Sequence, residues 1–211
     1  HQPGFGRSVK AAVLRMKKTG QIRLSGFSQG KNSSAVILAS YDVDGKKLFS
    51  KTIKFSGKTS GNGVTMDQDG NIYIPAATPF NLMKIRDTGE IIWGSELSSE
   101  LNLRALAADS GTSLYVTGNM KQSLDGNKSK GGSDIFLLKM YQMGPKLWSK
   151  TVGTPLDESG TSLAIQSDET IAIVGYVSQS ENTSTTLKGT HDAFVAKYNS
   201  EGTKLWTYIF K

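Results

Sequence analysis

Cysteine is absent from the 211 residues. That excludes disulfides, zinc–thiolate and iron–sulfur centres, and a thiol nucleophile. Histidine is nearly absent too: only His1, at the terminus, and His191, beside Asp192. Nucleophilic catalysis needs a base against the nucleophile, usually histidine, and no Gly-x-Ser-x-Gly elbow is present. No run approaches the ~20 apolar residues of a membrane helix. Sustained 3.6-residue periodicity is missing, so helices are not expected. No histidine/glutamate cluster suits zinc, and no glycine-rich loop leads into Lys-Ser or Lys-Thr for a phosphate. The chain is expected not to be an enzyme and to carry no cofactor.

The charge balance is basic, +7, from 25 Lys and Arg against 18 Asp and Glu. A nucleic-acid binder gathers such charge into one stripe. Here the lysines are spread along the chain, and the densest group is Arg15-Met-Lys-Lys18. The basic balance therefore reads as a solvated surface, with no nucleic-acid partner. The chain opens at His1 with neither a methionine nor an apolar leader. That reads as a processed or trimmed chain from which any signal peptide or lipid anchor has been removed.

What is present is a repeat. Gly45-Lys-Lys-Leu-Phe49, Gly89-Glu-Ile-Ile-Trp93, Gly144-Pro-Lys-Leu-Trp148 and Gly202-Thr-Lys-Leu-Trp206 share one pattern: glycine, two residues, an aliphatic residue, an aromatic. From 45 to 89, 89 to 144 and 144 to 202 the spacings are 44, 55 and 58 residues. All three tryptophans fall in one slot, which Phe49 fills in the first copy. Before each glycine lies an apolar run of strand length, such as Asp134-Ile-Phe-Leu-Leu-Lys-Met140 and Asp192-Ala-Phe-Val-Ala-Lys-Tyr198; Lys84, Lys139 and Lys197 share a slot that Ser40 fills in the first copy. Further upstream come a second shared strand, as in Ser113-Leu-Tyr-Val-Thr-Gly118, and a short strand of small residues, as in Leu103-Arg-Ala-Leu-Ala107. Asp-Gly and Gly-Asn pairs between apolar runs signal hairpins.

Each copy therefore reads as four antiparallel strands, the size of a propeller blade. The expected fold is all-β: a β-propeller of four four-stranded blades at about 9–55, 62–98, 102–152 and 160–211, after an N-terminal extension, 1–8. Four blades are few for a closed ring. A small closed ring, a piece of a larger propeller, or two chains completing one ring all fit. Residues that recur in every copy are expected to pack, since each blade buries the same face. Phe49, Trp93, Trp148 and Trp206 are assigned to that role. Gly45, Gly89, Gly144 and Gly202 are expected to form turns at positive φ.

With these residues assembled, the chain resembles the bacterial β-propeller repeat family abbreviated SBBP. Asp192-Ala-Phe-Val-Ala-Lys-Tyr-Asn-Ser-Glu-Gly-Thr-Lys-Leu-Trp206 carries the resemblance most fully, and Asp69-Gly-Asn-Ile-Tyr-Ile74 resembles the family's first hairpin. Phe49 in place of Trp, and Pro75-Ala76 where Gly is expected, depart from it. The resemblance implies an exported, periplasmic or cell-surface bacterial protein, commonly without assigned activity.

Two segments, Asp42-Val-Asp-Gly45 and Asp67-Gln-Asp-Gly70, look like the start of a calcium loop. A full loop needs about five ligands and a later bidentate acid. Neither has them, so both read as turns and no metal site is expected. The functional expectation rests on loops. The connection after the second strand is short in copy two but long in copies three and four, at 119–133 and 178–191. Insertions in a repeat protein gather on one face, often the binding face. Asp125, Asn127, Asp134, Asn182, His191 and Asp192 are the candidate ligand-binding residues. The expected role is a non-enzymatic interaction or scaffold module that presents loops to a protein partner. The alternative is a lectin-like, glycan-binding propeller or adhesin that uses the aromatic slot as a sugar platform.

Overall fold

A computed structural model describes residues 9–16, 22–29, 33–56, 63–76, 80–86, 88, 90–98, 100–178 and 191–210. It is all-β. Among the described residues no helix is long and apolar enough to cross a membrane. The chain divides into two compact units, His1–Leu97 and Ser98–Lys211.

The first unit holds two sheets. Sheet 1 is β1 (Val9–Met16), β2 (Ile22–Gln29), β3 (Ser33–Tyr41) and β4 (Lys47–Ser56); sheet 2 is β5 (Thr65–Met66), β6 (Ile72–Pro75), β7 (Leu82–Ile85) and β8 (Ile91–Ser95). The second unit holds sheet 3, of β9 (Leu101–Ala108), β10 (Ser113–Met120), β13 (Asp134–Tyr141) and β14 (Lys146–Val152), with a small hairpin, β11 (Ser123–Leu124) and β12 (Asn127–Lys128), between its second and third strands. Sheet 4 is β15 (Glu158–Ile165), β16 (Ile171–Ser178), β17 (His191–Tyr198) and β18 (Lys204–Phe210). In all four sheets the strands pair in chain order, each antiparallel to the next.

The repeat read from the sequence is also a repeat of register. Ser40 faces Phe49, Lys84 faces Trp93, Lys139 faces Trp148 and Lys197 faces Trp206. The register slips just beyond that pair in each sheet. The turn explains the slip. The N–H groups of Gly45, Gly144 and Gly202 return to the carbonyls of Asp42, Tyr141 and Asn199, at 3.2, 2.9 and 3.0 Å. Those glycines have φ of 80°, 119° and 78°. A turn closed by a left-handed residue leaves one unpaired residue, and glycine takes that conformation without Cβ strain. The glycine slot in the sequence is thus a bulge in the structure.

A second bulge lies between the first and second strands. The pairing slips at Ala11/Val13 in sheet 1, Thr117/Gly118 in sheet 3 and Gly160/Ser162 in sheet 4. In sheet 2, β5 pairs only through Thr65 and Met66 and ends before that slot. The slot therefore needs no glycine there, which accounts for Pro75 and Ala76.

Each unit has its own core. In the first, Leu38, Phe49 and Ile53 of sheet 1 pack on Ile72, Ile74, Met83 and Ile85 of sheet 2. In the second, Tyr115, Ile135, Leu137 and Trp148 of sheet 3 pack on Ile171, Ile173, Phe194 and Tyr198 of sheet 4. Burial pushes the Tyr198 hydroxyl pKa up to about 12. The aromatic slots differ in exposure: Phe49, Trp93 and Trp148 are half-buried, whereas Trp206 is 49% exposed.

Candidate interaction surface

The long connection of sheet 3 is folded. Asp125 and Gly126 have φ of 51° and 80°, and they join β11 to β12 in a two-residue turn. Asp-Gly suits such a turn because both central residues need positive φ. Leu124, the last residue of β11, is buried. The Asp125 carboxylate accepts hydrogen bonds from Lys146 Nζ and Ser149 Oγ of β14. The Lys146 bond, then the Ser149 bond, holds that carboxyl below the usual aspartate range. The hairpin is therefore pinned to the edge strand.

Below the hairpin the chain runs flush against the segment leading into sheet 4. A Cβ on Gly131 would lie 2.0 Å from the Leu156 carbonyl oxygen, and one on Gly132 would lie 2.4 Å from Asp157 Oδ1. Ser133 bridges Asp157 in parallel, and the Glu158 N–H donates to the Ser133 carbonyl at 2.7 Å. Asp134 is fully buried at the start of β13 and accepts from the N–H groups of Lys130, at 2.8 Å, and Gly131, at 3.2 Å. Asn119 Nδ2 donates to Ser133 Oγ at 3.0 Å, and Asn119 Oδ1 accepts from Ser159 Oγ at 3.4 Å and Arg104 Nε at 3.5 Å. Sheets 3 and 4 are thus tied together at their loop end by polar groups with satisfied partners.

Glu158 belongs to this knot and is 3% exposed. Burial pushes its carboxyl above the usual glutamate range; Thr154 hydrogen bonds pull it down, and the charges of Asp134 and Asp157 push it up again. A carboxyl raised on folding favours the folded state when protonated. That stabilisation is complete below the ordinary glutamate pKa and is lost as pH rises through the raised value. Glu158→Gln keeps the shape without the charge. Its melting temperature is expected to match the parent near pH 4 and to exceed it near pH 8, with the gap opening in between. A variant less stable than the parent at pH 8 would mean that the ionised carboxylate's bonds to Thr154 outweigh its burial.

The candidate residues part company here. Asp125 lies on the exposed hairpin, but its carboxylate is engaged by β14. Asn127 opens β12 and pairs with Leu124. Asp134 is enclosed and holds its own loop. His191 and Asp192 open β17, the strand equivalent to that of Asp134. The exposed His191 ring meets Tyr176 edge-on at a centroid distance of 4.7 Å, while Asp192 is half-buried. Asn182, like Gly89, lies outside the described residues. The two aspartate turns are turns: Asp42 Oδ1 accepts the Lys46 N–H at 2.8 Å, and Asp67 Oδ1 accepts the Asn71 N–H at 2.8 Å. Among the described residues no three acidic or histidine side chains gather to hold a metal.

Sequence reasoning passed over Asn119, Arg104 and Glu158, which carry the knot. Their signal is tertiary: Asn119 and Ser159 are forty residues apart in the chain. The Asp125-Gly126 pair did carry a local signal, since Asp-Gly between short strands is a hairpin turn.

No family model matches the chain. The regulatory protein FlaEY of Caulobacter vibrioides is 31% identical over 113 residues, 45% of this chain. The matched stretch is 11% of FlaEY's length, so this chain corresponds to a small part of that protein. A Synechocystis apocarotenoid oxygenase variant aligns over 98% of this chain and 40% of its own, but at a TM-score of 0.35 and 11% identity. That likeness carries no argument about activity. A crystal structure of a protein of unknown function from Bacteroides caccae matches 96% of this chain and 68% of its own, with a TM-score of 0.58 and 14% identity, a likeness of fold alone.

Proposed function

We propose that the chain is a non-enzymatic interaction module, built of SBBP-type propeller blades, that presents its loops to a protein partner in an exported, periplasmic or cell-surface setting. The observation that carries this reading is the pinned loop end of the second unit. The 121–133 excursion is held by the Asp125–Lys146 contact and the buried Asp134, so little ordering cost is left for binding. Around it Lys121, Gln122, Ser123, Lys128 and Lys130 are exposed. Loops held on a rigid sheet suit recognition. Of the carboxylates nearby, Asp125 is engaged by Lys146 and Ser149, Asp134 by the N–H groups of Lys130 and Gly131, and Glu158 by Thr154, each a structural role. Two chains completing one ring belong to the same reading.

The test replaces residues 121–130 with a two-residue Asn-Gly turn and keeps Asp134. The variant is expected to melt as a folded β protein and to lose about tenfold or more in affinity for a partner captured by the parent from the source organism. Turnover of a substrate by the parent, abolished by Glu158→Gln or Asp134→Asn, would overturn the reading. The lectin alternative has Trp206 in its favour, as the exposed indole among the three. Glycan binding lost in Trp206→Ala would replace the protein partner with a sugar.

A further inference from the structure

The contact between sheets 3 and 4 defines what a face of this kind receives. Sheet 3 presents Tyr115, Lys139 and Trp148 in one cross-strand row, with Leu137 and Lys150 in the next and Ile135 and Val152 in the last. Sheet 4 covers that face. Its third turn reaches the tryptophan so closely that a Cβ on Gly202 would lie 2.9 Å from the Trp148 ring. Lys139 Nζ donates to the Ser200 carbonyl of that turn at 3.2 Å. Glu201, next in the turn, is held below the usual glutamate range by the Ser200 hydroxyl first, and the Lys139 charge acts in the same direction.

Sheet 4 carries the same face again. The register places Ala172, Lys197 and Trp206 in one row, Val174, Val195 and Tyr208 in the next, and Tyr176, Ala193 and Phe210 in the last. Apart from Lys197 these rows hold no charged side chain. Among the described residues no other sheet of the second unit covers this face, and Trp206, Tyr208 and Phe210 are 49%, 60% and 54% exposed. An apolar, aromatic surface of this kind marks an interface.

Sheet 1 carries the other half of the contact. Its third turn, Asp42 to Gly45, has the form of the turn from Asn199 to Gly202, with the same two backbone hydrogen bonds. Val43 takes the place of Ser200, and Asp44 that of Glu201. Whereas Gly202 is packed against a tryptophan, a Cβ on Gly45 would meet nothing within 4 Å, and Val43 is 65% exposed. Behind the turn, Ile22, Leu24, Ile37 and Tyr41 are half-buried. Their counterparts in sheet 4 include Ile171, Ile173 and Tyr198, which are buried in the core of the second unit.

We infer that the open face of sheet 4 receives sheet 1 of a second copy of this chain, with the Gly45 turn seated on Trp206 and Asp44 beside Lys197. The inference rests on reading the sheets as stacking blades. The interface is heterologous: each copy offers a sheet 4 face at one end and a sheet 1 turn at the other. Such an interface closes into a ring or runs on as a filament.

Sedimentation equilibrium from about 1 to about 100 µM tests this, with Trp206→Lys and Asp44→Lys as variants on opposite faces. The parent is expected at a mass of two or more copies. Each variant alone is expected to weaken association by about tenfold or more, with the circular dichroism spectrum unchanged. An equimolar mixture of the two variants is expected to recover a two-copy species, because one intact sheet 4 can meet one intact Gly45 turn. Association that Trp206→Lys abolishes and Asp44→Lys leaves untouched would overturn the inference in favour of two sheet 4 faces meeting back to back. A monomeric parent whose Trp206 fluorescence is shielded from acrylamide would overturn it in favour of closure within one chain. A monomeric parent with quenchable Trp206 would overturn it while leaving the loop-presenting module standing, since the loop replacement tests a different surface.

Discussion

Asp67→Ala is expected to destabilise the first unit by about 3–5 kcal/mol, the usual cost of breaking a buried ion pair from one side. Lys84 Nζ lies 3.1 Å from Asp67 Oδ2, with both side chains under 10% exposed (8% and 3%). The carboxylate also accepts the Tyr73 hydroxyl at 3.1 Å and Asn71 Nδ2 at 3.0 Å. The ammonium stands 5.1 Å from the Tyr73 ring centroid. Removing the carboxylate takes away the charge 3.1 Å from the buried ammonium together with the acceptor of the Tyr73 and Asn71 bonds. Lys84→Met takes away the cation and leaves Asp67 with Asn71 and Tyr73 as donors, so it should cost less, about 1–2 kcal/mol. Asp67→Ala in the Lys84→Met background should then cost well under its cost in the parent. Equal costs in the two backgrounds, by urea denaturation, would show that the pair is not coupled.

The same aspartate sets an acid limit. Burial pushes its carboxyl up, but the hydrogen bonds from Asn71 and Lys84 and the Lys84 charge outweigh burial, and the pKa falls below the ordinary value. A carboxyl lowered on folding stabilises fully above its unfolded pKa. The contribution is lost as pH falls through the lowered folded value. Acid unfolding of the first unit should therefore lose its steepest part in the Asp67→Ala, Lys84→Met double variant.

Among the described glycines, Gly118→Ala is expected to be the most damaging methyl addition. A Cβ there would lie 1.9 Å from the Asn102 carbonyl oxygen, which is backbone in a paired strand. The strand must move or the pairing must break, and a loss of about 3 kcal/mol or more follows from overpacking of this kind. Gly175→Ala should behave alike, with the Ser159 carbonyl oxygen at 2.0 Å. Gly45→Ala serves as the contrast. It meets no atom, so only its positive φ counts, at about 1–2 kcal/mol. Thermal melts that place Gly118→Ala level with Gly45→Ala would remove the bulge argument.

Gly118 and Gly45 look alike in the sequence, and each falls in a repeat slot. Their difference is tertiary: one is a turn residue with open space around it, the other is pressed against a neighbouring strand. The aspartates divide in the same way. Asp134 and Asp125 are nine residues apart in one polar stretch and were equal candidates for a ligand. The fold encloses the first and leaves the second on an exposed hairpin, pinned to β14.

The repeat itself was legible because its causes are local. Alternating apolar residues, a glycine where a turn needs positive φ and an aromatic at a fixed offset are each decided within a few residues. They placed the four copies, with Lys84, Lys139 and Lys197 in one slot and the tryptophans in another; that the two slots face each other across the strands is a finding of the structure. The tertiary structure alone decided which copies are covered. Trp148 and Trp206 stand in one sequence pattern and one register, yet a neighbouring sheet packs on the first and the second is open. Burial is a property of what stacks on a strand, and stacking is decided by residues far away in the chain.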